Sequence, residues 1–341
     1  RPYTKGSTMH ENLKELMPQA LISFLRNRKH AHNLGVLMRE QSQRFIKQSG
    51  LSLVSDQARL AAKLIFYSHR IEKGLSHSKF RAGFGTAALK NMSELLRKWN
   101  HKGYSKEAFE YTLALSALGS YYDKHISSGT SVPTEFGVLF LGVMEEIMAS
   151  DRSLSGVRKA GLLHSRGNGS YPDTLSTRSS IREYGLGEVD EKALFEAMRI
   201  AMSAPSVCNR QPQMVTVVNE VEKIQAILDA QGGWRGYEYP PILLIVTSRL
   251  SSFLNSTERN EPYTDGGIFL MALLGAIEWV GLAACPLNAM FELGNEAFIR
   301  NQAAIPDDEV FIALVTVGNM PDEVLCPRSA RRQVEDVVRF V

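Results

Sequence analysis

The sequence contains few cysteines, three in 341 residues, and all eight of its histidines lie before residue 165. Three cysteines cannot form a paired disulfide framework, and none stands in a C-x-x-C spacing that would suggest a zinc site. We therefore expect a cytoplasmic protein of a reducing compartment, with no metal centre. Because residues 171–341 contain no histidine, a Ser-His-Asp, Cys-His or His-metal site there would need help from the N-terminal part.

Two nucleotide-binding motifs are also missing from the sequence. It has no G-x-G-x-x-G after a predicted strand and no G-x-x-x-x-G-K-[ST], which argues against a Rossmann nicotinamide site and a P-loop. Any chemistry is then expected from a bound cofactor or from the helical part of the chain.

One segment, residues 268–287, has the length and apolar character of a membrane span and contains a single charge, Glu278. That charge falls in mid-segment, and no cluster of Lys or Arg flanks either end to set an orientation. We interpret the segment as a wholly buried helix and predict no membrane span.

The net charge of +3 conceals an uneven distribution. Residues 1–170 contain 25 Lys and Arg against 13 Asp and Glu, whereas residues 171–341 contain 14 against 23. This asymmetry indicates two units. A basic helical module could dock on nucleic acid or an anionic membrane. We favour the alternative that it packs against its own acidic partner, and we predict no nucleic-acid binding.

The periodicity of apolar residues predicts helices over the first 150 residues and a mixture of helices and strands after residue 177. Predicted helices cover 52–70, 88–99, 105–124, 136–148, 190–203, 263–284 and 292–303, and predicted strands cover 214–218, 242–247 and 311–317. The expected fold class is α+β, a sheet flanked by helices and preceded by an all-helical region. The predicted division is a helical region over 9–150, a Gly-, Ser- and Asn-rich linker over 151–177 and a domain over 178–341.

Two clusters in that domain could bind a ligand. In Arg178-Ser179-Ser180-Ile181-Arg182, a helical backbone would project both guanidinium groups from one face, as a phosphate clamp requires. The alternative is an ordinary solvated helix start. The second cluster, residues 203–212, contains two prolines that fix a loop rich in hydrogen-bond donors. This loop could bind a polar heteroaromatic ligand or could merely connect a helix to a strand.

In their order and spacing, these clusters resemble the FMN-dependent nitroreductase family. The pattern is Arg-Ser-Ser-Ile-Arg, then Ala-Pro-Ser-x-x-Asn-x-Gln-Pro about 25 residues later. It continues with Asp265-Gly266-Gly267 at the start of a long apolar helix, with residues 281–288 after it, and with a C-terminal segment containing Pro327-Arg328 and Arg331. The resemblance covers roughly residues 176–341.

The resemblance implies a set of cofactor-binding residues. Arg178, Ser179, Ser180 and Arg182 would hold the FMN phosphate and ribityl chain, and Arg328 or Arg331 would complete the phosphate site. Pro205, Ser206, Asn209 and Gln211 would lie at the isoalloxazine ring and ribityl hydroxyls. Pro286, Leu287 and Asn288 would lie beside the ring and offer backbone donors. Gln213 departs from the family, which often has an aromatic residue after the Gln-Pro pair.

The resemblance also implies the function. We expect an FMN oxidoreductase that takes hydride from NADH or NADPH and reduces a small organic acceptor by a ping-pong mechanism, as a homodimer with FMN at the subunit interface. An alternative is a protein that sequesters or consumes FMN. No residue is assigned as a catalytic acid; the candidates are His69, Glu72 and Tyr263. The stretch from His69 to Gly85 could form a lid over the flavin, or simply end one helix and turn into the next.

Overall fold

The computed structural model describes residues 18–48, 56–160 and 169–341. Its N-terminal part consists of helices, as the sequence predicts. These are α1 (Gln19–Gln48), α2 (Gln57–Leu75), α3 (Thr86–His101), α4 (Phe109–Ser127), α5 (Thr134–Phe140) and α6 (Met144–Ala149). Large side chains fill the core between α2, α3 and α4, where Trp99, Tyr111 and Tyr121 are fully buried.

The predicted N-terminal helices exist, although their ends differ. Asp56 caps α2 by accepting a hydrogen bond from the N–H of Arg59 at 2.9 Å. Helix α4 begins four residues after the predicted start at Ser105. The predicted fourth helix is interrupted by a 3-10 turn at Leu141–Val143, which separates α5 from α6.

The C-terminal part contains helices and two sheets. Its helices are α7 (Tyr171–Thr177), α8 (Glu191–Ala201), α9 (Val221–Gln231), α10 (Glu261–Trp279) and α11 (Leu293–Ala303). Its strands are β2 (Gln213–Val218), β3 (Ile242–Arg249), β4 (Leu282–Asn288), β5 (Glu309–Asn319) and β6 (Leu325–Pro327), and β1 (Val157–Lys159) precedes them. Strands β2, β3, β5 and β4 form an antiparallel sheet in that order, and apolar side chains pack on both of its faces. The predicted α+β class with a helical region before it is confirmed.

The long apolar helix ends earlier than predicted. Helix α10 stops at Trp279, and residues 282–288 turn back to form β4 at the edge of the sheet. The prediction that the helix continues to residue 284 was wrong, because residues 282–284 pair with β5 as part of a strand. Within the described residues, no helix combines the length and apolar character that a membrane span requires.

Residues 151–177, predicted to be a linker, contain regular structure. Strand β1 pairs antiparallel with β6, so that Arg158 lies opposite Cys326. Helix α7 begins with a capping box in which Ser170 and Asp173 bond reciprocally. Residues 161–168 lie outside the described residues. The segment therefore includes a strand that pairs with β6 near the C-terminus. The division into domains stays a prediction.

Candidate functional site

A small basic pocket lies where α2, β1 and the C-terminal segment meet. Its volume is about 60 Å³, and a cavity needs on the order of 10–15 Å³ to hold one water, so the pocket has room for a compact polar group. It is lined by His69, Arg158, Arg178, Ser179, Ser180, Pro327, Arg328, Ser329 and Arg331. Four guanidinium groups and three serines thus converge on one cavity.

The first serine and arginine cluster reaches the pocket on an extended backbone. Arg178 is the residue that ends α7, and Ser180 forms a parallel bridge with Ala284 of β4. The N–H of Ile181 donates to the carbonyl of Ala284 at 3.0 Å. Residues 178–182 are therefore extended along the edge of the sheet, so the helical backbone that would project both guanidinium groups from one face does not form.

Pairing of β1 with β6 brings two further arginines to the pocket. The guanidinium of Arg158 donates to Oγ of Ser179 at 2.6 Å. The backbone N–H of Arg328 donates to the carbonyl of Gly156 at 3.1 Å, and its side chain donates to the carbonyl of Val157 at 3.3 Å. The Arg331 guanidinium is exposed and donates to the carbonyl of Ser329. Both C-terminal arginines implied by the resemblance therefore line the pocket.

The charge in the pocket is only partly compensated. Burial lowers the pKa of Arg178, the neighbouring Glu278 opposes this shift, and Arg331 and Arg158 add to it. Within the described residues, the buried Nε atom of Arg328 has no hydrogen-bond partner. A buried guanidinium with an open donor is uncommon. Cations with free donors suit an anion with several acceptor oxygens, such as a phosphate group.

One buried carboxylate from the helical part braces this pocket. Glu72 of α2 is 2 % exposed and accepts hydrogen bonds from Oγ of Ser155 at 2.9 Å and from the N–H of Ser329 at 3.4 Å. Its carboxylate also lies 3.6 Å from Nδ1 of His69, one turn earlier on the same helix. Tyr263, the third candidate for a proton donor, is half exposed on α10.

Arg182 lies apart from the pocket. Its side chain is 8 % exposed, donates to the carbonyl of Ser180 at 3.2 Å and leaves its buried Nε without a partner in the described structure. Lys73 of α2 interacts electrostatically with Arg182. Burial is the largest cause that lowers the pKa of Lys73, and the positive charge of Arg182 lowers this pKa further. Burial raises the pKa of the Cys285 thiol, which the charges of Arg182 and Lys73 oppose. Lys73 and Arg182 therefore both place positive charge near the buried Cys285 thiol.

The predicted ring-binding loop is held from within the C-terminal part. Asp265, 3 % exposed, accepts from the N–H of Val207 at 3.1 Å to each carboxylate oxygen. Oγ of Ser206 accepts from the N–H of Gln211 at 2.9 Å, and Arg210 pairs with Glu258 at 3.0 Å. The loop contains three non-glycine residues with positive φ, Cys208, Asn209 and Gln211. Strained conformations of this kind concentrate at ligand sites.

The remaining predicted residues lie in strand β4. Leu287 is 7 % exposed and packs in the core. The carbonyl of Ala284 points away from β5, because it accepts from the N–H of Ile181. The backbone polar groups of successive residues in a strand point to opposite sides, so the N–H of Leu287 points toward β5 and the N–H of Asn288 points away from it. Proline has no N–H. Of the three residues Pro286, Leu287 and Asn288, only Asn288 keeps an outward backbone donor, and the cofactor role of all three stays a prediction.

Three residues that line the pocket were not predicted from the sequence as anion ligands. His69 was considered as a catalytic acid and as the start of a lid, and Arg158 and Ser329 were not considered. No local pattern marks them, because they come together through the pairing of β1 with β6 and the docking of α2.

The model of the nitroreductase family matches residues 175–235, a stretch that includes the cluster from Arg178 to Arg182 and the loop from Pro205 to Gln211. The resemblance drawn from the sequence is confirmed. The nitroreductase-like half follows the helical N-terminal part, as predicted.

Individual relatives match about half of the chain. The iodotyrosine dehalogenase 1 homolog of Caenorhabditis elegans is 27% identical over 203 residues, which cover 50% of this chain and 61% of the relative, so the chain spans less than two thirds of that protein. A nitroreductase family protein from Clostridium difficile is 20% identical. The alignment covers 49% of this chain and 95% of that protein, with a TM-score of 0.40. A third relative is a protein from Desulfovibrio desulfuricans that is described as a nitroreductase and was solved in complex with FMN. It is 17% identical, the alignment covers 51% of this chain and 98% of that protein, and the TM-score is 0.43.

Proposed function

We propose that this protein is an FMN-dependent oxidoreductase that takes hydride from NADH or NADPH and reduces a small organic acceptor. The observation that carries the proposal is the convergence of Arg158, Arg178, Arg328 and Arg331 on one pocket, together with the match of residues 175–235 to the nitroreductase family model. A phosphomonoester dianion, which is negatively charged and has several acceptor oxygens, suits this cationic donor set. The open Nε of Arg328 supports the fit.

In this proposal the chain's residues bind and orient the cofactor. The arginines and Ser179 would hold the phosphate, and the loop from Pro205 to Gln211, fixed by Asp265, would contact the flavin ring. FMN when bound would supply reversible hydride transfer, accepting from the nicotinamide and passing reducing equivalents to the acceptor in turn. Arg182 is buried and Lys73 is partly buried, and their positive charge near the extended segment of residues 178–182 would favour an anionic reduced cofactor.

A homodimer is part of the proposal. Helices α8 and α10 pack together and present exposed apolar side chains, among them Phe195, Tyr263 and Met271. Exposed apolar patches of this kind mark interaction surfaces, and a second copy of the chain is the partner that the family resemblance implies. Light scattering on a size-exclusion column tests this part directly.

The first experiment is the visible absorption spectrum of the purified protein, followed by anaerobic addition of NADH and NADPH in separate cuvettes. A two-banded flavin spectrum that bleaches with either nucleotide supports the proposed reductase. Flavin that binds without bleaching favours the alternative in which the protein sequesters FMN. A protein that stays colourless and does not bind added FMN contradicts the proposal.

The acceptor requires a second measurement. The name of the Caenorhabditis elegans relative refers to removal of iodine from iodotyrosine, whereas the family name refers to nitro compounds. We propose to reoxidise the reduced protein anaerobically with a nitroaromatic compound and, separately, with iodotyrosine. The faster acceptor identifies the substrate class, and reoxidation by oxygen alone would argue against both.

A further inference from the structure

The helical N-terminal part contributes groups to the anion pocket that neither the family match nor the sequence motifs assign. His69 lines the pocket from α2, more than a hundred residues before the first arginine of the nitroreductase-like half. We propose that His69 is a direct ligand of the phosphate group and that Glu72 is the positioning residue that holds this side of the pocket together. This inference rests on the proposed function, because it takes the phosphate of FMN as the ligand.

Glu72 links three parts of the chain. It is 2 % exposed, and its Oε1 accepts from Oγ of Ser155 and from the N–H of Ser329. Its Oε2 lies 3.6 Å from Nδ1 of His69. A buried carboxylate is costly unless it is hydrogen-bonded, so the three contacts define where α2 must lie relative to the pocket.

The contact between Glu72 and the N–H of Ser329 affects the positions of Arg328 and Arg331. Ser329 has φ of +51°, a left-handed conformation that is unfavourable for a residue with a side chain. It lies directly after Arg328, and its carbonyl accepts from the Arg331 guanidinium. By holding the N–H of Ser329, Glu72 fixes the turn from which both arginines reach the pocket.

A phosphate in this pocket would therefore be held from both halves of the chain. His69 lies on the N-terminal helix, and Arg178, Arg328 and Arg331 belong to the C-terminal half. A flavin without a phosphate cannot use these contacts. Loss of His69 should therefore reduce the affinity for FMN and leave the affinity for riboflavin unchanged.

The test uses the full chain freed of flavin, as wild type and as His69→Ala, Glu72→Gln and the control His101→Ala. His101 is an exposed histidine at the end of α3, away from the pocket. Dissociation constants are measured for FMN and for riboflavin, and the melting temperature is measured with and without inorganic phosphate. We expect His69→Ala to weaken FMN binding about three- to tenfold, as for one lost hydrogen bond. Riboflavin binding and the His101→Ala control should not change.

Glu72→Gln serves as the second variant, because it preserves shape and changes charge. We expect it to reduce the ratio of FMN to riboflavin affinity and the stabilisation by inorganic phosphate. If His69→Ala binds FMN as wild type does, or loses FMN and riboflavin equally, the inference is overturned while the proposed function stands. If the wild type binds neither flavin but phosphate raises its melting temperature through His69, the proposed function fails and the anion site remains. If neither flavin nor phosphate acts on the wild type, both fail.

Discussion

His77 and Tyr237 stack face to face, with ring centroids 4.0 Å apart and an angle of 16° between the ring planes. His77 lies just after α2, and Tyr237 belongs to the nitroreductase-like half. The Tyr237 hydroxyl donates to the carbonyl of Lys73 at 3.1 Å, and the N–H and Oγ of Ser78 both donate to Glu183, at 3.0 and 2.8 Å. The end of α2 is therefore bound to the C-terminal half by stacking and by hydrogen bonds.

The His77 contact predicts a pH dependence of stability. Burial lowers the pKa of His77, the charge of Arg81 lowers it further, and Glu183 opposes the shift. Because the lowered pKa makes protonation of His77 less favourable in the folded state, the unfolded state binds more protons once the pH falls below about 6.5. The contribution of His77 to stability is complete above that pH and is lost as the pH falls toward the lowered pKa.

We expect the melting temperature of His77→Phe, which keeps an aromatic ring against Tyr237, to fall less than that of wild type between pH 8 and pH 5. Thermal unfolding in a series of buffers at constant ionic strength measures this. His101→Phe, at an exposed position, is the control and should follow wild type. Parallel curves for wild type and His77→Phe would show that His77 does not determine the acid sensitivity.

The two C-terminal arginines should differ in their contributions to FMN affinity. Arg328 is partly buried and its buried Nε lacks a partner in the described structure, whereas Arg331 is exposed. A hydrogen bond to a charged group contributes about 1.5–3 kcal/mol, so Arg328→Met should weaken FMN binding roughly 10- to 150-fold. Arg331→Met should weaken it by less than about tenfold, since solvent screens an exposed charge.

Equilibrium titration of the flavin-free variants with FMN checks this order. Arg332→Met is the matched control, because the Arg332 guanidinium pairs with Glu110 and does not line the pocket. Equal losses for Arg328→Met and Arg331→Met would contradict the argument from burial.

The loop from Pro205 to Gln211 should respond differently from the arginines. Asp265→Ala removes the acceptor of the Val207 N–H and so frees a loop with three residues at positive φ. We expect a loss of stability of about 1–3 kcal/mol. Affinity for FMN and for riboflavin should fall by the same factor, because the loop is proposed to contact the ring and not the phosphate.

Urea unfolding and flavin titration of the same preparation measure both effects. Asp308→Ala is the control, since the Asp308 side chain is exposed and its carboxylate lies 3.9 Å from the Arg249 guanidinium. A selective loss of FMN over riboflavin in Asp265→Ala would assign the loop to the phosphate instead.

The sequence predicted the elements whose signal is local and missed those created by distant pairing. The stripe from Ala88 to Trp99 and the cap at Asp190 are local patterns, and both helices are present where expected. Residues 282–287 are apolar, and the first three of them were predicted to continue the helix, but pairing with β5 makes them a strand. Arg178 and Arg182 stand four residues apart as helical neighbours do, but the bridge from Ser180 to Ala284 decides their backbone. The contribution of Arg158 to the pocket depends on pairing across about 170 residues, which no local pattern encodes.

The last prediction concerns two adjacent glycines of α10 that differ in what surrounds them. A Cβ at Gly266 would lie 2.5 Å from side-chain atoms of Ile312 on β5, whereas a Cβ at Gly267 would have no heavy atom within 4 Å. Ile312 is β-branched and cannot readily turn aside. Alanine at Gly267 should stabilise the helix by up to about 1 kcal/mol.

At Gly266 the same gain in helix propensity is opposed by overpacking of about 1–3 kcal/mol. We therefore expect Gly266→Ala to be less stable than Gly267→Ala by about 1–3 kcal/mol in urea unfolding at a fixed protein concentration. Because both positions lie in one helical turn, effects on helix formation and on the unfolded chain cancel in this comparison. Equal free energies of unfolding for the two variants would mean that α10 and β5 can separate at no cost, which is inconsistent with the close contact at Gly266.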